Sequence, residues 1–244
     1  MWLTFAQLYA AHLVADFLLQ PRSIVEGKRR WRPLLLHAAV HVACGFVLVN
    51  VALNPRSATG IAALAVFHVL VDHVKARINP PALAGFVADQ LVHLISVFAV
   101  AAWLSPADWP SLNLAGLLLV RSLDVYVVLG TYVGIVFGGG FLIQLVLNDR
   151  LATIGDALRS RKPGLPRAGT YIGWAERALV LTFFLAGFEE AIGFLIAVKA
   201  LARYPELKDD AQGVFADYFL VGTLASISIG VVGGLILRQA CAPP

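Results

Sequence analysis

An all-α, polytopic bundle of transmembrane helices is the fold class this sequence predicts, and three observations predict it. Of 244 residues, 59% are hydrophobic and only 14% charged, against roughly 45–50% and 25% in soluble domains. The mean hydropathy is +0.78. The apolar residues fall into stretches near the roughly 20 residues that cross a bilayer as a helix, with prolines, asparagines and basic clusters between them.

Span one runs from Trp2 to Gln20 and stops at Pro21. It has no basic leader region and no small-residue cleavage site, so it reads as a retained span and not a signal peptide. Span two runs from Pro33 to Leu53 and turns at Asn54-Pro55. Span three runs from Ser57 to Lys75 and is ended by Asn79-Pro80-Pro81. Span four runs from Ala82 to Leu104 and is ended by Ser105-Pro106. The apolar segment from Leu112 to Leu147 is too long for one straight crossing, and Gly138-Gly139-Gly140 is its natural place for a bend or a close helix contact.

A polar loop from Asn148 to Ala168 follows, with Pro163, Gly164 and Pro166 near its end. The segment Thr170 to Arg203 carries Glu176, Arg177, Glu189, Glu190 and Lys199. It reads either as one long tilted helix or as two short ones broken near Gly187. The last span runs from Phe215 to Leu237. The total is about seven spans, with eight as the alternative. The chain divides into a four-span domain (1–104), a long apolar segment (105–147), a basic loop (148–168) and C-terminal membrane helices (169–244).

The net charge is +4 and the sequence pI about 9.3. The basic residues lie in alternate loops: Arg22, Lys28, Arg29, Arg30 and Arg32 in the first, Lys75 and Arg77 in the third, and Arg150, Arg159, Arg161, Lys162 and Arg167 in the large one. This is the positive-inside pattern of an inner (plasma) membrane protein, with these loops cytoplasmic and the N-terminus outside. It argues against a nucleic-acid partner, which would call for a basic tail or an aromatic-basic platform. Cys44 and Cys241 stand in unrelated settings and form neither a disulfide framework nor a CxxC pair.

Ionisable residues inside a membrane are costly and point to function by default. The first four spans contain them in a regular form: His12 and Asp16, His37 and His41, His68 and Asp72, Asp89 and His93. Each pair is spaced i, i+4, so its members share a helix face, and Gln20 continues the face of span one. Counted from the cytoplasmic ends, His12, His41, His68 and His93 form one layer roughly 12–15 Å deep, and Asp16, His37, Asp72 and Asp89 a second roughly 6–9 Å deep. Spans one and three share the order His-xxx-Asp, as two tandem hairpins would. One such pair reads as an interhelical hydrogen bond; four at matched depth read as a site. His73 lies off the face and reads as structural.

Imidazole suits zinc and other late first-row ions, and carboxylates complete or orient the shell. The eight residues are therefore candidate ligands of a divalent metal, zinc first. Asp16 and Asp72 are also candidates for a general base. Lys75, three residues after Asp72 on the same face, is placed to pair with it or to hold a phosphate. Lys28, Arg77 and Arg22 read as headgroup and topology residues.

The runs His12-Leu13-Val14-Ala15-Asp16, His68-Val69-Leu70-Val71-Asp72 with Lys75, and Asp89-Gln90-Leu91-Val92-His93, together with His37 and His41, resemble a bacterial membrane family known only as domain of unknown function 3307. The resemblance covers about residues 3–103. Glu176-Arg177, Ala191-Ile192-Gly193-Phe194, Lys199, Tyr218 and Gly222-Thr223 resemble the tail of its longer members. The chain departs from that pattern at Phe188-Glu189-Glu190, where a glutamine-like residue is expected beside the glycine. The family implies a membrane location and supplies no reaction. A fainter similarity, in the style of the polar residues, is to membrane-bound metal-dependent hydrolases.

Arg121, Asp124, Glu176, Arg177, Glu189, Glu190 and Lys199 nearly balance in charge, which favours buried pairing. The pairs Gly130/Gly134 and Gly230/Gly234 have the small-xxx-small spacing of helix contacts. Three functions stand open: a metal-dependent hydrolase acting on a membrane lipid or lipid-linked phosphate, a metal-ion or proton transporter or channel, and a structural membrane protein. The expected depth, near one face and not at the midplane, tips the balance towards the enzyme.

Overall fold

The computed structural model describes residues 1–49, 55–104, 123–147, 168–210 and 213–241, without the side chains of Arg22 and Val214. The expected basic loop, the turn at Asn54, the start of the long apolar segment at Leu112, and Arg121 lie outside the described residues. Every described element is helical, as expected. The helices are α1 (Trp2–Leu13), α2 (Arg22–Gly27), α3 (Trp31–Leu48), α4 (Pro55–Ile78), α5 (Ala82–Leu104), α6 (Leu123–Val133), α7 (Ala168–Ala186), α8 (Ala191–Ala202), α9 (Tyr204–Lys208) and α10 (Val214–Ala240). α1 and α6 each continue into a π-helical turn, Val14–Leu18 and Gly134–Gly138.

Five helices are long and apolar enough to cross a membrane: Trp31–Leu48, Pro55–Ile78, Ala82–Leu104, Leu123–Leu147 and Phe215–Ala240. Large apolar side chains such as Leu35, Leu36, Val66, Leu70, Leu91 and Ile95 point outward from them, which fits insertion in a membrane. The first helix, interrupted by its π-turn, and α7, which carries Glu176 and Arg177, are not among the five. The Thr170–Arg203 segment is two helices, because Gly187 takes a left-handed φ of +71° between α7 and α8.

The chain forms two compact units, Met1–Val133 and Gly134–Pro244. In the first, α1 packs against α3, α5 and α6, α3 against α4, and α4 against α5. The small side chains of α1 and of its π-turn make this central position possible. Ala6, Ala10, Ala11 and Ala15 are buried, and Gly130 of α6 comes so close that a Cβ there would lie 3.8 Å from the Ala10 Cα. Leu8, Val49, Ile61, Val97 and Ala101 form an apolar core. α4 is stopped by Asn79, at φ 51°, and by the prolines that follow, which cannot continue a helix.

In the second unit, α7 packs along α10 through glycines. A Cβ on Gly230 would meet Val180 Cγ1 at 3.0 Å, and one on Gly233 would meet Leu181 Cδ2 at 2.9 Å. The buried Arg177 guanidinium donates through Nε and Nη2 to Val136 O, at 3.1 and 2.7 Å, and through Nη1 to Ser226 Oγ at 3.0 Å. Val136 lies in the π-turn, which widens the helix and frees a carbonyl for an outside donor. Lys199 Nζ meets Glu176 at 2.6 Å. Glu176 and Lys199 are thus paired, as near-balance of charge suggests, while Arg177 is satisfied by a carbonyl and a hydroxyl.

Candidate metal centre

Four helices of the first unit each contribute two polar side chains to one interior position. Asp16 is delivered by the π-turn that ends α1, whose bond from Leu19 N to Val14 O is 2.9 Å. The turn keeps Asp16 beside His12, with Oδ2 3.5 Å from His12 Nε2. Its other oxygen, Oδ1, is ringed by imidazoles: His37 Nε2 at 3.1 Å, His41 Nε2 at 3.2 Å and His68 Nε2 at 3.4 Å.

The rings of His12, His41, His68 and His93 cluster face to face and edge to face. The centroid separations are 3.8 Å for His41–His68, 4.1 Å for His68–His93 and 5.0 Å for His12–His93. His37 is fully buried at 0% exposure. It bridges the cluster, with its Nε2 2.9 Å from His68 Nε2 and 3.6 Å from Asp72 Oδ2. His68 Nε2 lies 3.3 Å from the same Asp72 oxygen. On the far flank, Asp89 Oδ1 and His93 Nε2 are 3.5 Å apart.

Two lysines close the end of the site where the α1–α3 and α4–α5 connections run. Lys28 Nζ is 2.6 Å from Asp72 Oδ2, and Lys75 Nζ is 3.0 Å from Asp89 Oδ2. Lys75 therefore pairs across to α5, and the carboxylate on its own helix is taken by Lys28. With its amide oxygen turned towards Lys28 and His37, Gln20 accepts from Lys28 Nζ and His37 Nε2 at 2.9 Å each. Lys28 joins the site because α2 and the turn after it fold the connection back; no helical spacing marks it in the sequence. His73 stays outside, stacked on Trp31 with ring centroids 5.0 Å apart.

Behind the histidines is a cavity of about 30 Å³, lined by His12, His41, His68 and His93 on one side and by Leu8, Ile61, Leu64 and Val97 on the other. Its lining precedes His12 on α1 and follows His41 and His93 on their helices, so it lies on the side away from the lysines. That volume holds two or three waters at most, each needing about 10–15 Å³ by this measure.

The donor set fits a metal. His12, Asp16, His41 and His68 each offer one atom to a group whose members all lie within 4.8 Å of one another. Ligand bonds of about 2.0–2.2 Å in a tetrahedral zinc site imply edges of roughly 3.3–3.6 Å between ligand atoms. The separations of 3.2 and 3.4 Å from Asp16 Oδ1 to the His41 and His68 Nε2 atoms are close to such edges, and His12 Nε2 lies 3.5 Å from the other carboxylate oxygen. The buried Nε2 atoms of His12 and His93 and Oδ1 of Asp89 make no hydrogen bond among the described residues, an arrangement that costs free energy unless something else binds them.

Residues 4–118 match the model of a protein family described as "Protein of unknown function (DUF3307)". The resemblance drawn from the four polar motifs is that family, and the remaining residues lie outside the match. No curated protein and no solved structure matches the chain.

Proposed function

We propose that the first unit is an intramembrane metal centre serving hydrolysis of a membrane lipid or lipid-linked phosphate at the cytoplasmic leaflet. The observation that carries this reading is the convergence of three imidazole Nε2 atoms on one carboxylate oxygen, Asp16 Oδ1, within 3.4 Å. Buried imidazoles crowded this closely must be satisfied by one another, by Asp16 or by a shared cation. When bound, the ion would supply Lewis acidity to a phosphoryl oxygen.

The chain's own residues would do the rest. Lys75, about a third exposed at 34%, and Lys28 line the open end, where ammonium groups can take a phosphate as point charges. His37, between Asp16 and Asp72, is placed to hold or pass a proton. The two carboxylates are the candidate bases. The basic residues of the α1–α3 connection support a cytoplasmic position for this end.

The test is metal analysis of the protein purified in mild detergent, beside release of phosphate from phosphatidic acid in mixed micelles. Near-stoichiometric metal, lost in His12→Ala and His68→Ala, together with turnover abolished in Asp16→Asn and Asp72→Asn, is expected. Absence of metal after reconstitution at neutral pH would overturn the reading.

A second reading, transport of a metal ion or protons, is favoured by one observation. The groupings His12/Asp16/His41/His68, His37/His68/Asp72 and Asp72/Asp89/His93 overlap through His68 and Asp72, as successive positions along an ion path do. Ion flux into proteoliposomes, lost in the same aspartate variants, would support it over the hydrolase.

A further inference from the structure

We propose that the centre holds two ions, and that the second is bound by Asp72, Asp89 and His93 and is latched by Lys28 and Lys75. The inference rests on the metal reading above and goes beyond it in stoichiometry and regulation.

The eight candidate ligands do not form one shell. His12, Asp16, His41 and His68 make a four-donor group, and Asp72, Asp89 and His93 a three-donor group with no residue in common. The third grouping, His37/His68/Asp72, takes one ligand from each of these, so it cannot be filled together with them. Four protein donors complete a tetrahedral ion, whereas three leave a position open. An ion in the first group alone leaves the second group's buried atoms unserved. Among the described residues Asp89 Oδ1 and His93 Nε2 have no hydrogen-bond partner and face each other at 3.5 Å, and Asp72, Asp89 and His93 are exposed by only 2%, 7% and 1%.

Charge supplies the second argument. Asp72 and Asp89 are two buried carboxylates, and each is held through its Oδ2 by one ammonium, Lys28 at 2.6 Å and Lys75 at 3.0 Å. Two ammonium groups and one divalent ion carry the same charge. The ion can therefore replace the lysines with no net change in buried charge, which avoids the penalty of an unpaired carboxylate. The lysines are the groups able to leave. They are exposed by 17% and 34% and sit on flexible stems, while the aspartates are fixed inside α4 and α5. Once displaced, both ammonium groups stand at the open position of the second ion, where an anionic ligand would arrive. The lysines thus act as a latch that is closed without the second ion and becomes an anion clamp with it.

The experiment is a zinc and manganese titration of the chelator-stripped protein in detergent, with bound ions counted by native mass spectrometry. Two ions per wild-type chain are expected, the second weaker. Asp89→Asn and His93→Ala should each keep one ion, and the retained ion itself reports an intact first group. Lys28→Met and Lys75→Met should tighten the second ion by about tenfold or more, the effect expected when a close charge pair no longer competes. One ion in wild type, unchanged by Asp89→Asn and His93→Ala, overturns the second site and leaves the first reading standing. No ion in any chain overturns both. Loss of both ions from Asp89→Asn in protein that elutes like wild type overturns the independence of the two groups. Two ions with unchanged affinity in the lysine variants overturns the latch.

Discussion

Lys28, on the connection between α1 and α3, reaches the buried Asp72 of α4 with 2.6 Å between Nζ and Oδ2. This ion pair ties a surface segment to the interior. Lys28→Met leaves Asp72 buried without its ammonium, and the expected loss of stability is about 3 kcal/mol. Lys28→Met with Asp72→Asn should recover much of that loss. Thermal unfolding of the two single variants and the double variant in one detergent measures the coupling, and strict additivity would show that the pair contributes nothing.

Metal affinity is expected to fall with pH. Imidazole ligates only when neutral, and an unperturbed imidazole gains its proton near about pH 6.5. Protons therefore compete with the ion, and binding releases them. Zinc titrations at pH 8, 7 and 6 should show successive weakening, and a flat profile would exclude histidine ligation.

In the second unit, Lys199→Met should destabilise more than Glu176→Gln/Lys199→Met. The single change strands the buried Glu176, whose partner lies at 2.6 Å, and the double change removes both charges. A difference of about 2 kcal/mol in the double variant's favour is expected. Detergent thermal melts would read it directly.

The glycines divide by what faces them. Gly233→Ala drives a Cβ to 2.6 Å from Ile135 Cγ1 and 2.9 Å from Leu181 Cδ2, and should cost about 1–3 kcal/mol through overpacking. Gly193, in α8, has nothing among the described residues within 4 Å of an added Cβ, so Gly193→Ala should stabilise by about 0.5–1 kcal/mol through helix propensity. Paired melting curves settle both signs.

The helical character and the four i, i+4 pairs, three of His with Asp and one of two histidines, were legible because a period of 3.6 residues places i and i+4 on one face. Other features have no such period. The π-turns at Val14–Leu18 and Gly134–Gly138 leave no mark in the apolar pattern, yet one delivers Asp16 and the other offers Val136 O to Arg177. Lys28 belongs to a connection, and the path of a connection is fixed by the helices it joins. Lys75 shares a face with Asp72, but Lys28 occupies that carboxylate and Asp89 lies across the groove, so the pairing crosses between helices. Gly187 stood as one of two alternatives in the sequence, and its φ of +71° decides for the break.

The satisfaction of Arg177 has a consequence for biogenesis. Its guanidinium depends on Val136 O, which emerges from the ribosome before it, and on Ser226 Oγ, which emerges well after. Until α10 is made, Arg177 has the Val136 carbonyl but not the Ser226 hydroxyl of its final shell. The buried guanidinium of α7 is therefore fully satisfied only once α10 packs along that helix. A chain interrupted before Ser226 would leave Arg177 Nη1 without that acceptor, so α7 and α10 reach their final state only as a pair.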